Sequence, residues 1–338
     1  MNESSGLNST LAGKVLVLSK NKRGLDDGFQ SHEVLQRIYY WYFYVIAVVL
    51  VIPTVCGNSL ILISLARFSR LRRQKALLLI GNLAVADLFV GLVALPMEIV
   101  SLTSDRYSRS PQFCFWEVCV IYTNICASVV NLFLLSLERF DAILYPFQHH
   151  VRFTKRRLYI AMASLWIIIV SFGLSPIIAK LPNVDKENFE CYVSKVLYRG
   201  FIIAFHAVII LCLVASTIFF LVIAQIARKA IRRFQNVETS IDHQRMRREI
   251  RHTRNMLIVS GMFIVFWGPY CFVSLIPDSV SGGGLRMAKD WLSTLGLINS
   301  CLNWIVYGIR CSSFRSAFKS IVTCDCTGKK FKLPFSLT

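Results

Sequence analysis

The chain has little charge for its length, and acidic residues are especially scarce. Only 17% of its 338 residues are Asp, Glu, Lys or Arg, and 19 acids stand against 38 bases. Soluble globular domains carry roughly a quarter charged residues, so this composition argues against a soluble protein. The scarcity of charge comes with long apolar runs, which are stable when they lie in a membrane.

Several function classes lack the residues that they require. The sequence has no catalytic triad, no cluster of metal ligands and no phosphate-binding loop, so an enzyme is not expected. No apolar block repeats another, which argues against a transporter built from inverted repeats. The net charge of +19 lies largely on short loops beside apolar helices. Membrane topology and anionic membrane lipid account for this charge, and nucleic acid is not expected as a partner.

Seven apolar blocks are each long enough to cross a bilayer as an α-helix. Because backbone polar groups in lipid must be satisfied within their own segment, the blocks predict helices. They cover 39–66, 76–102, 114–144, 158–178, 200–227, 255–276 and 291–309. The sequence therefore predicts an all-α membrane protein. Its parts are an extracellular tail at 1–38, a seven-transmembrane helix bundle at 39–310 and a cytoplasmic segment at 311–338.

Basic residues concentrate in the loops after the first, third and fifth blocks, whereas the alternate loops are mixed in sign. Basic loops face the cytoplasm, so we expect a multi-pass plasma membrane protein with its N-terminus outside and its C-terminus inside. Two sequons in the outer tail make Asn2 and Asn8 candidates for glycosylation.

Four cysteines near the two membrane surfaces are candidates for covalent modification. Cys114 and Cys191 are both on the outer, oxidising side, which predicts a disulfide between them. Cys324 and Cys326 follow the last block on the inner side. They are candidates for palmitoylation, with unmodified thiols as an equal alternative.

Asp87 is the acid that lies deepest in the predicted membrane region. A charge at the bilayer centre costs about 2.5–3.5 kcal/mol on insertion scales, so we expect such a residue to have a structural or functional role. Neutral polar residues of the third and seventh helices lie at similar depth, namely Ser128, Asn299, Ser300 and Asn303. A carboxylate ringed by neutral oxygens suits Na⁺. A hydrogen-bonded structural cluster is the alternative.

Short motifs follow one another along the predicted helices in a familiar order. They are Gly57-Asn58, "NLAVAD" at 82–87, Cys114, "ERF" at 138–140, Trp166, "FWGP" at 266–269 and "NWIVY" at 303–307. In this order the chain resembles a rhodopsin-like (class A) G-protein-coupled receptor. The resemblance covers all seven helices and implies a short amphipathic eighth helix along the inner membrane face.

The resemblance implies that Arg139 is a cytoplasmic switch held by Glu138 and Glu249. On activation Arg139 would be released, the sixth helix would swing outward about Pro269, and a heterotrimeric G protein would dock. Phe147 falls where the family presents an apolar side chain to the G protein. The residues assigned to coupling are Glu138, Arg139, Phe140, Phe147, Glu249 and Tyr307.

The same resemblance places Asp87, Ser128, Asn299, Ser300 and Asn303 in the family's sodium pocket. An allosteric Na⁺ at Asp87 is therefore expected, and no other cofactor is.

Four residues depart from the family pattern. Trp304 replaces the proline of the seventh-helix motif, Ala215 replaces the proline of the fifth helix, and Ile223 stands where a tyrosine is usual. Asp141 adds an acid directly after the switch triplet. These departures leave the activation geometry and the basal activity open, and a receptor-like protein that does not couple is one alternative.

The extracellular ligand is not identified by these motifs. Ile121 occupies the position of the aspartate that anchors amines in aminergic members, and Leu297 occupies that of the opsin lysine, so an opsin is not expected. Glu98 and Glu117, near the outer mouth, suggest a cationic amine or peptide, unless they are solvated rim residues. The candidate ligand-binding residues are Glu98, Glu117, Ile121, Tyr122, Asn124, Trp267 and Tyr270. A lipid or nucleoside receptor and, less favoured, a seven-helix transporter remain as alternatives.

Overall fold

The computed structural model describes residues 27–104, 107, 109–184, 189, 191, 193–233, 258–276 and 283–323. These residues form helices and connecting turns, and the described ranges contain no strand. The principal helices are α1 (Asp27–Arg67), α2 (Lys75–Thr103), α3 (Pro111–Leu144), α4 (Lys155–Lys180), α5 (Arg199–Arg233), α6 (Ile258–Val273), α7 (Gly283–Arg310) and α8 (Ser312–Val322). The prediction of an all-α seven-helix bundle with an eighth helix is confirmed.

Six of these helices are long and apolar enough to cross a membrane, and the described part of α6 is a shorter apolar helix. Their ends differ from the ends of the apolar blocks. α1 begins at Asp27 and α7 begins at Gly283, both well before the apolar residues start. The physical reason is that hydropathy marks the part of a helix that lies in lipid, whereas backbone hydrogen bonding continues into the polar turns beyond it.

α3 is the central helix of the bundle. Buried residues run along its whole length, from Cys114 at the outer end to Asp141 at the inner end. It packs against α2, α4 and α5, while α1 packs against α2 and α7. Apolar side chains that the bundle does not cover, such as Ile52 and Leu211, lie on the outer surface of the helices, as expected in a lipid environment.

α2 changes its winding in the middle of the membrane. Its residues Val90–Ala94 form a π-helical segment, and Leu95–Thr103 continues as an α-helix with Pro96 in its first turn. A proline cannot donate the backbone hydrogen bond of a regular helix, and a π-bulge rotates the residues that follow it. The bulge therefore sets the direction in which the outer end of α2, including Glu98, faces the bundle.

Trp304, the residue that replaces the family's proline, packs directly on α1. A Cβ atom added to Gly57 would lie 2.1 Å from the Trp304 ring. Only glycine leaves room for the indole at this point. α7 runs as one helix from Gly283 to Arg310, so the departure at Trp304 is accommodated by close packing between α1 and α7.

α8 is amphipathic, as predicted. Phe314 and Phe318 are buried, and the ring centroids of Tyr307 and Phe314 are 6.1 Å apart. Arg315 and Lys319 are exposed on the opposite face. Cys311, just before α8, is buried, and burial raises the pKa of its thiol above the ordinary value. Cys324 and Cys326 lie outside the described residues, so their palmitoylation stays a prediction.

We expect Gly57→Ala to destabilise the protein. Glycine-to-alanine changes inside helices usually stabilise by about 0.5–1 kcal/mol, but here the new methyl group collides with Trp304. Overpacking of this kind costs roughly 1–3 kcal/mol, and the measurement is the thermal unfolding temperature of the detergent-solubilised protein. Gly261→Ala is the matched control, because nothing lies within 4 Å of its added Cβ. If both variants unfold at the same or a higher temperature than wild type, the packing argument is wrong.

Candidate functional site

The inner end of α3 carries a buried ion pair. Arg139 Nε donates to Glu138 Oε2 at 2.5 Å, and Arg139 Nη2 donates to Glu138 Oε1 at 2.7 Å. Glu138 is 0% exposed and Arg139 is 8% exposed. Two parallel hydrogen bonds between a guanidinium and a carboxylate are among the strongest polar contacts in proteins. Glu249, the second expected partner of Arg139, lies outside the described residues.

Asp141, for which the family pattern offered no role, belongs to the same cluster. It is buried, and its Oδ1 accepts from Arg152 Nη1 at 3.0 Å. Its Oδ2 lies 3.1 Å from His149 Nδ1, and His149 Nε2 lies 3.4 Å from Glu138 Oε1. The cluster therefore extends from Arg139 through Glu138, His149 and Asp141 to Arg152.

His149 and Arg152 lie on a short helix, Pro146–Arg152, which we call the loop-two helix. This helix has two different faces. His149 is buried against α3 and its ring stacks on Phe153, with centroids 5.3 Å apart. Phe147 is 93% exposed on the other side. An exposed phenylalanine on a loop between two helices is available for contact with another protein.

Phe140 connects α3 to α5 beside the ion pair. Its ring lies 4.5 Å from the ring of Phe219, and it is half-buried. Ile223, which replaces the usual tyrosine, is fully buried in the core, and Tyr307 is buried where α7 meets α8. The inner surface therefore combines the charged cluster with apolar contacts between α3 and α5 and between α7 and α8.

The polar core lies in the middle of the bundle. Asp87 is 0% exposed and its Oδ2 accepts from Asn303 Nδ2 at 2.8 Å, with Ser300 as a further side-chain partner. Within the described residues, Asp87 Oδ1, Asn299 Oδ1 and Asn303 Oδ1 are buried without a hydrogen-bond partner. Ser128 is also buried, on α3. Buried acceptors left without donors are costly, and a set composed only of oxygens fits a hard cation such as Na⁺.

Side-chain amides extend this polar core to neighbouring helices. Asn58 Nδ2 donates to Ser300 O at 3.1 Å and so joins α1 to α7. Asn82 is hydrogen-bonded to Asn131, and Trp166 Nε1 donates to Asn82 Oδ1 at 3.0 Å, which joins α2, α3 and α4. Motif residues that are distant in sequence are therefore hydrogen-bonded to one another across neighbouring helices.

An aromatic layer separates the polar core from the outer mouth. The hydroxyl oxygens of Tyr122 on α3 and Tyr270 on α6 are 2.8 Å apart, and both residues are buried. Trp267 lies beneath Tyr270, with ring centroids 5.9 Å apart. A Cβ added to Gly296 would lie 2.5 Å from the Trp267 ring, so this indole is pressed against α7. The Tyr122–Tyr270 hydrogen bond joins α3 to α6 directly.

Ile121 and Asn124 are the two remaining ligand candidates on α3. Ile121 is half-buried and contributes only an apolar surface. Asn124 is buried and its Nδ2 donates to Val120 O at 2.9 Å, so its amide is used within the helix.

Three carboxylates converge at the outer mouth from three helices. Glu117 on α3 is 7% exposed and is hydrogen-bonded to Ser101 of α2. It interacts electrostatically with Glu98 of α2, which in turn interacts with Asp290 of α7. Glu98 is half-buried. Glu117 is therefore not a solvated rim residue.

The predicted disulfide between Cys114 and Cys191 is confirmed, with the two Cα atoms 5.7 Å apart. It ties the loop before α5 to the first turn of α3, immediately below which Glu117 lies. The sequon residues Asn2 and Asn8 lie outside the described residues.

Sequence reasoning missed three residues at these sites: His149, His206 and Asp290. His206 Nε2 lies 2.8 Å from Ser274 Oγ and joins α5 to the end of α6. Asp290 precedes the seventh apolar block, and extending the helical periodicity back by one turn would have found it. The histidines carry no motif, and only the packing of neighbouring helices reveals their partners.

A bundle of this topology, with an acidic mouth, an aromatic layer, a polar core and an inner ion pair, defines a seven-helix membrane receptor rather than an enzyme. Residues 57–307 match the family model of the 7 transmembrane receptor (rhodopsin family). The chain belongs to this family.

Named receptors of the family resemble the chain along most of its length. The histamine H2 receptor of Cavia porcellus is 28% identical over 297 residues, which cover 83% of this chain and 79% of that receptor. The trace amine-associated receptor 13c of Danio rerio is 26% identical over 284 residues, covering 80% and 82%. The 5-hydroxytryptamine receptor 4 of Cavia porcellus is 26% identical over 305 residues, covering 81% and 78%.

Proposed function

We propose that this receptor lies in the plasma membrane with its N-terminus outside, binds a cationic amine or basic peptide, and activates a heterotrimeric G protein. The observation that carries the proposal is the convergence of Glu98, Glu117 and Asp290 at one end of a bundle whose other end holds the Glu138–Arg139 pair. The acids recognise the ligand, and the ion pair controls coupling.

The position of Glu117 supports a cationic ligand. Ile121 occupies the place of the usual amine-anchoring aspartate, and Glu117 lies four residues before it on the same face of α3. The carboxylate is thereby moved about 6 Å, slightly more than one helical turn, toward the outside. Histamine, trace amines and 5-hydroxytryptamine, which give the similar receptors their names, are all amines. A cation among three acids relieves their mutual repulsion.

Coupling requires the inner end to open. Trp267 is lodged against Gly296, and Tyr122 is bonded to Tyr270, so a ligand that contacts the aromatic layer acts directly on α6. Outward movement of α6 about Pro269 uncovers Arg139, and Phe147 offers an apolar contact to the G protein. A membrane-embedded helix with a proline bends at that residue more readily than elsewhere.

Na⁺ is proposed as the ion of the polar core. Asp87 and the unpartnered oxygens of Asn299 and Asn303 would hold it, with Ser128 and Ser300 beside them. The ion supplies a positive charge that neutralises the buried carboxylate. Because these oxygens come from α2 and α7, its binding favours the compact arrangement of the bundle.

Glu117→Gln should weaken the response to cationic ligands in a screen of amines and basic peptides. Loss of a buried charge pair costs about 2 kcal/mol or more, so we expect potency to fall roughly 30-fold. Glu98→Gln should act in the same direction but less strongly, because Glu98 is less buried. Glu117→Asp, which keeps the charge, is the matched control. Unchanged potency of an active cation in both Gln variants would exclude the acidic mouth as its site.

Arg139→Ala should abolish G-protein activation, because no other side chain at that position can make the same paired contacts. The measurement is a panel of Gα-dissociation sensors in cells, with surface expression matched between variants. Arg156→Ala is the control, since Arg156 is an exposed arginine at the inner start of α4. If neither wild type nor Arg139→Ala gives a basal or stimulated signal with any sensor of the panel, the coupling proposal is wrong.

Asp87→Asn should abolish the stabilisation of the receptor by Na⁺, which can be measured without an extracellular ligand. An ion that binds only the folded receptor raises its unfolding temperature with concentration. We expect purified wild type to unfold at a higher temperature in NaCl than in equimolar KCl, and Asp87→Asn to unfold equally in both. Asp290→Asn, the same change outside the polar core, should behave as wild type. A sodium effect that survives Asp87→Asn contradicts the assignment.

A further inference from the structure

His149 lies between two carboxylates of α3, and its position has a chemical consequence. One ring nitrogen is 3.4 Å from Glu138 Oε1 and the other is 3.1 Å from Asp141 Oδ2. His149 is 7% exposed, so water does not replace these contacts. The loop-two helix, which carries Phe147, is joined to the switch pair through this one side chain.

An ionised carboxylate only accepts hydrogen bonds, so both nitrogens of His149 must donate if both contacts are to be favourable. Neutral imidazole has one donor and one acceptor, and its lone pair would then face one of the two carboxylates. Only the protonated ring carries two donors. The arrangement of Glu138, His149 and Asp141 therefore fits a charged histidine.

The charge on Glu138 creates a problem for activation. Glu138 is 0% exposed, and a buried carboxylate that loses its partner is strongly destabilised. When Arg139 leaves for a G protein, the carboxylate must either take up a proton itself or keep another cation beside it. His149 is positioned for that purpose, because it contacts the same Oε1 atom that accepts from Arg139 Nη2.

We propose that protonated His149 is the reserve counter-ion of Glu138, which keeps that carboxylate neutralised when Arg139 is released. Asp141 is the positioning residue for His149, since its Oδ2 holds the opposite ring nitrogen. This role accounts for the acid that follows the switch triplet in this chain. The inference rests on the proposed coupling function and states that protonation of His149 regulates coupling.

The other charged groups around His149 come from three elements. Lys75 at the start of α2 donates to His149 O at 3.4 Å and interacts electrostatically with Glu138 and Asp141. On the loop-two helix, Arg152 binds Asp141 and the ring of His150 lies 5.8 Å from that of His149. Arg157 at the start of α4 donates to backbone carbonyls of the loop-two helix. Among the residues that the structure describes here, Lys75 is the rival for the role of counter-ion, because it interacts electrostatically with Glu138.

Docking of the loop-two helix then depends on pH in a defined direction. Histidine gains or loses its charge between about pH 5 and 8. Because protonation favours the docked arrangement, docking is strongest at the acidic end of that range and weakens as pH rises. Release of Arg139, and hence coupling, follows the same direction.

Amide hydrogen exchange of segment 148–153 in nanodisc-embedded receptor tests the docking step without a ligand or a G protein. After correction for the intrinsic exchange rate, we expect wild type to be roughly tenfold more protected at about pH 6 than at about pH 8. His149→Gln should show no such difference. His150→Gln is the matched control, because His150 is exposed and should behave as wild type. A flat wild-type profile, or a pH difference retained in His149→Gln, overturns the inference.

The Lys75→Gln variant separates His149 from its rival. If His149 is the counter-ion, Lys75→Gln keeps the wild-type pH dependence of exchange. Loss of that dependence in Lys75→Gln, together with its retention in His149→Gln, assigns the role to Lys75 and overturns the proposal.

Nucleotide exchange on purified G protein in the same nanodiscs tests the coupling step. We expect His149→Gln to slow exchange about tenfold and His149→Lys, which carries a permanent charge, to preserve it. Equal rates in wild type and His149→Gln overturn the counter-ion role. If neither wild type nor any variant stimulates exchange, the coupling function fails, whereas the hydrogen-exchange profile still decides whether the proton-dependent junction exists.

Discussion

The ion pair between Glu138 and Arg139 is buried at the inner end of α3, and His149 lies within hydrogen-bonding distance of the same carboxylate. In a medium of low dielectric, a carboxylate without a counter-charge is among the most costly groups that a protein can bury. The loop-two helix, the position of Phe147 and the burial of Asp141 all follow from meeting this requirement.

Carboxylates are also buried in the polar core and near the outer mouth, and their partners differ from those of Glu138. Asp87 is partly satisfied by Asn303 and leaves acceptors to which a cation is suited. Glu117 is buried and interacts electrostatically with Glu98, which in turn interacts with Asp290, so acids of three helices are grouped at the outer mouth. At the inner end, Glu138 and Asp141 each contact an arginine. Under the proposed function, the outer acids receive the cation and the inner cluster controls coupling.

Close packing between indoles and glycines connects these charged layers. Trp267 lies against Gly296, and Trp304 lies against Gly57. Because each indole ring packs directly against a glycine backbone without a gap, displacement of one helix must move its neighbour. α7 takes part in both contacts and also supplies Asn303 to the polar core. It therefore links the aromatic layer, the polar core and α8 mechanically.

The sequence by itself determined the class of fold, the disulfide and the amphipathic eighth helix, because apolar length, the side of the membrane and helical periodicity are local properties of a chain. It did not determine where α1 and α7 begin, since polar helical turns extend beyond the lipid. It also did not show that Asp141 contacts His149, that Asp290 interacts electrostatically with Glu98 or that His206 contacts Ser274. Those contacts depend on the rotation and depth of each helix relative to its neighbours, which the packing of the whole bundle decides. A charge in the sequence can be counted, but its partner is fixed only when the helices are assembled.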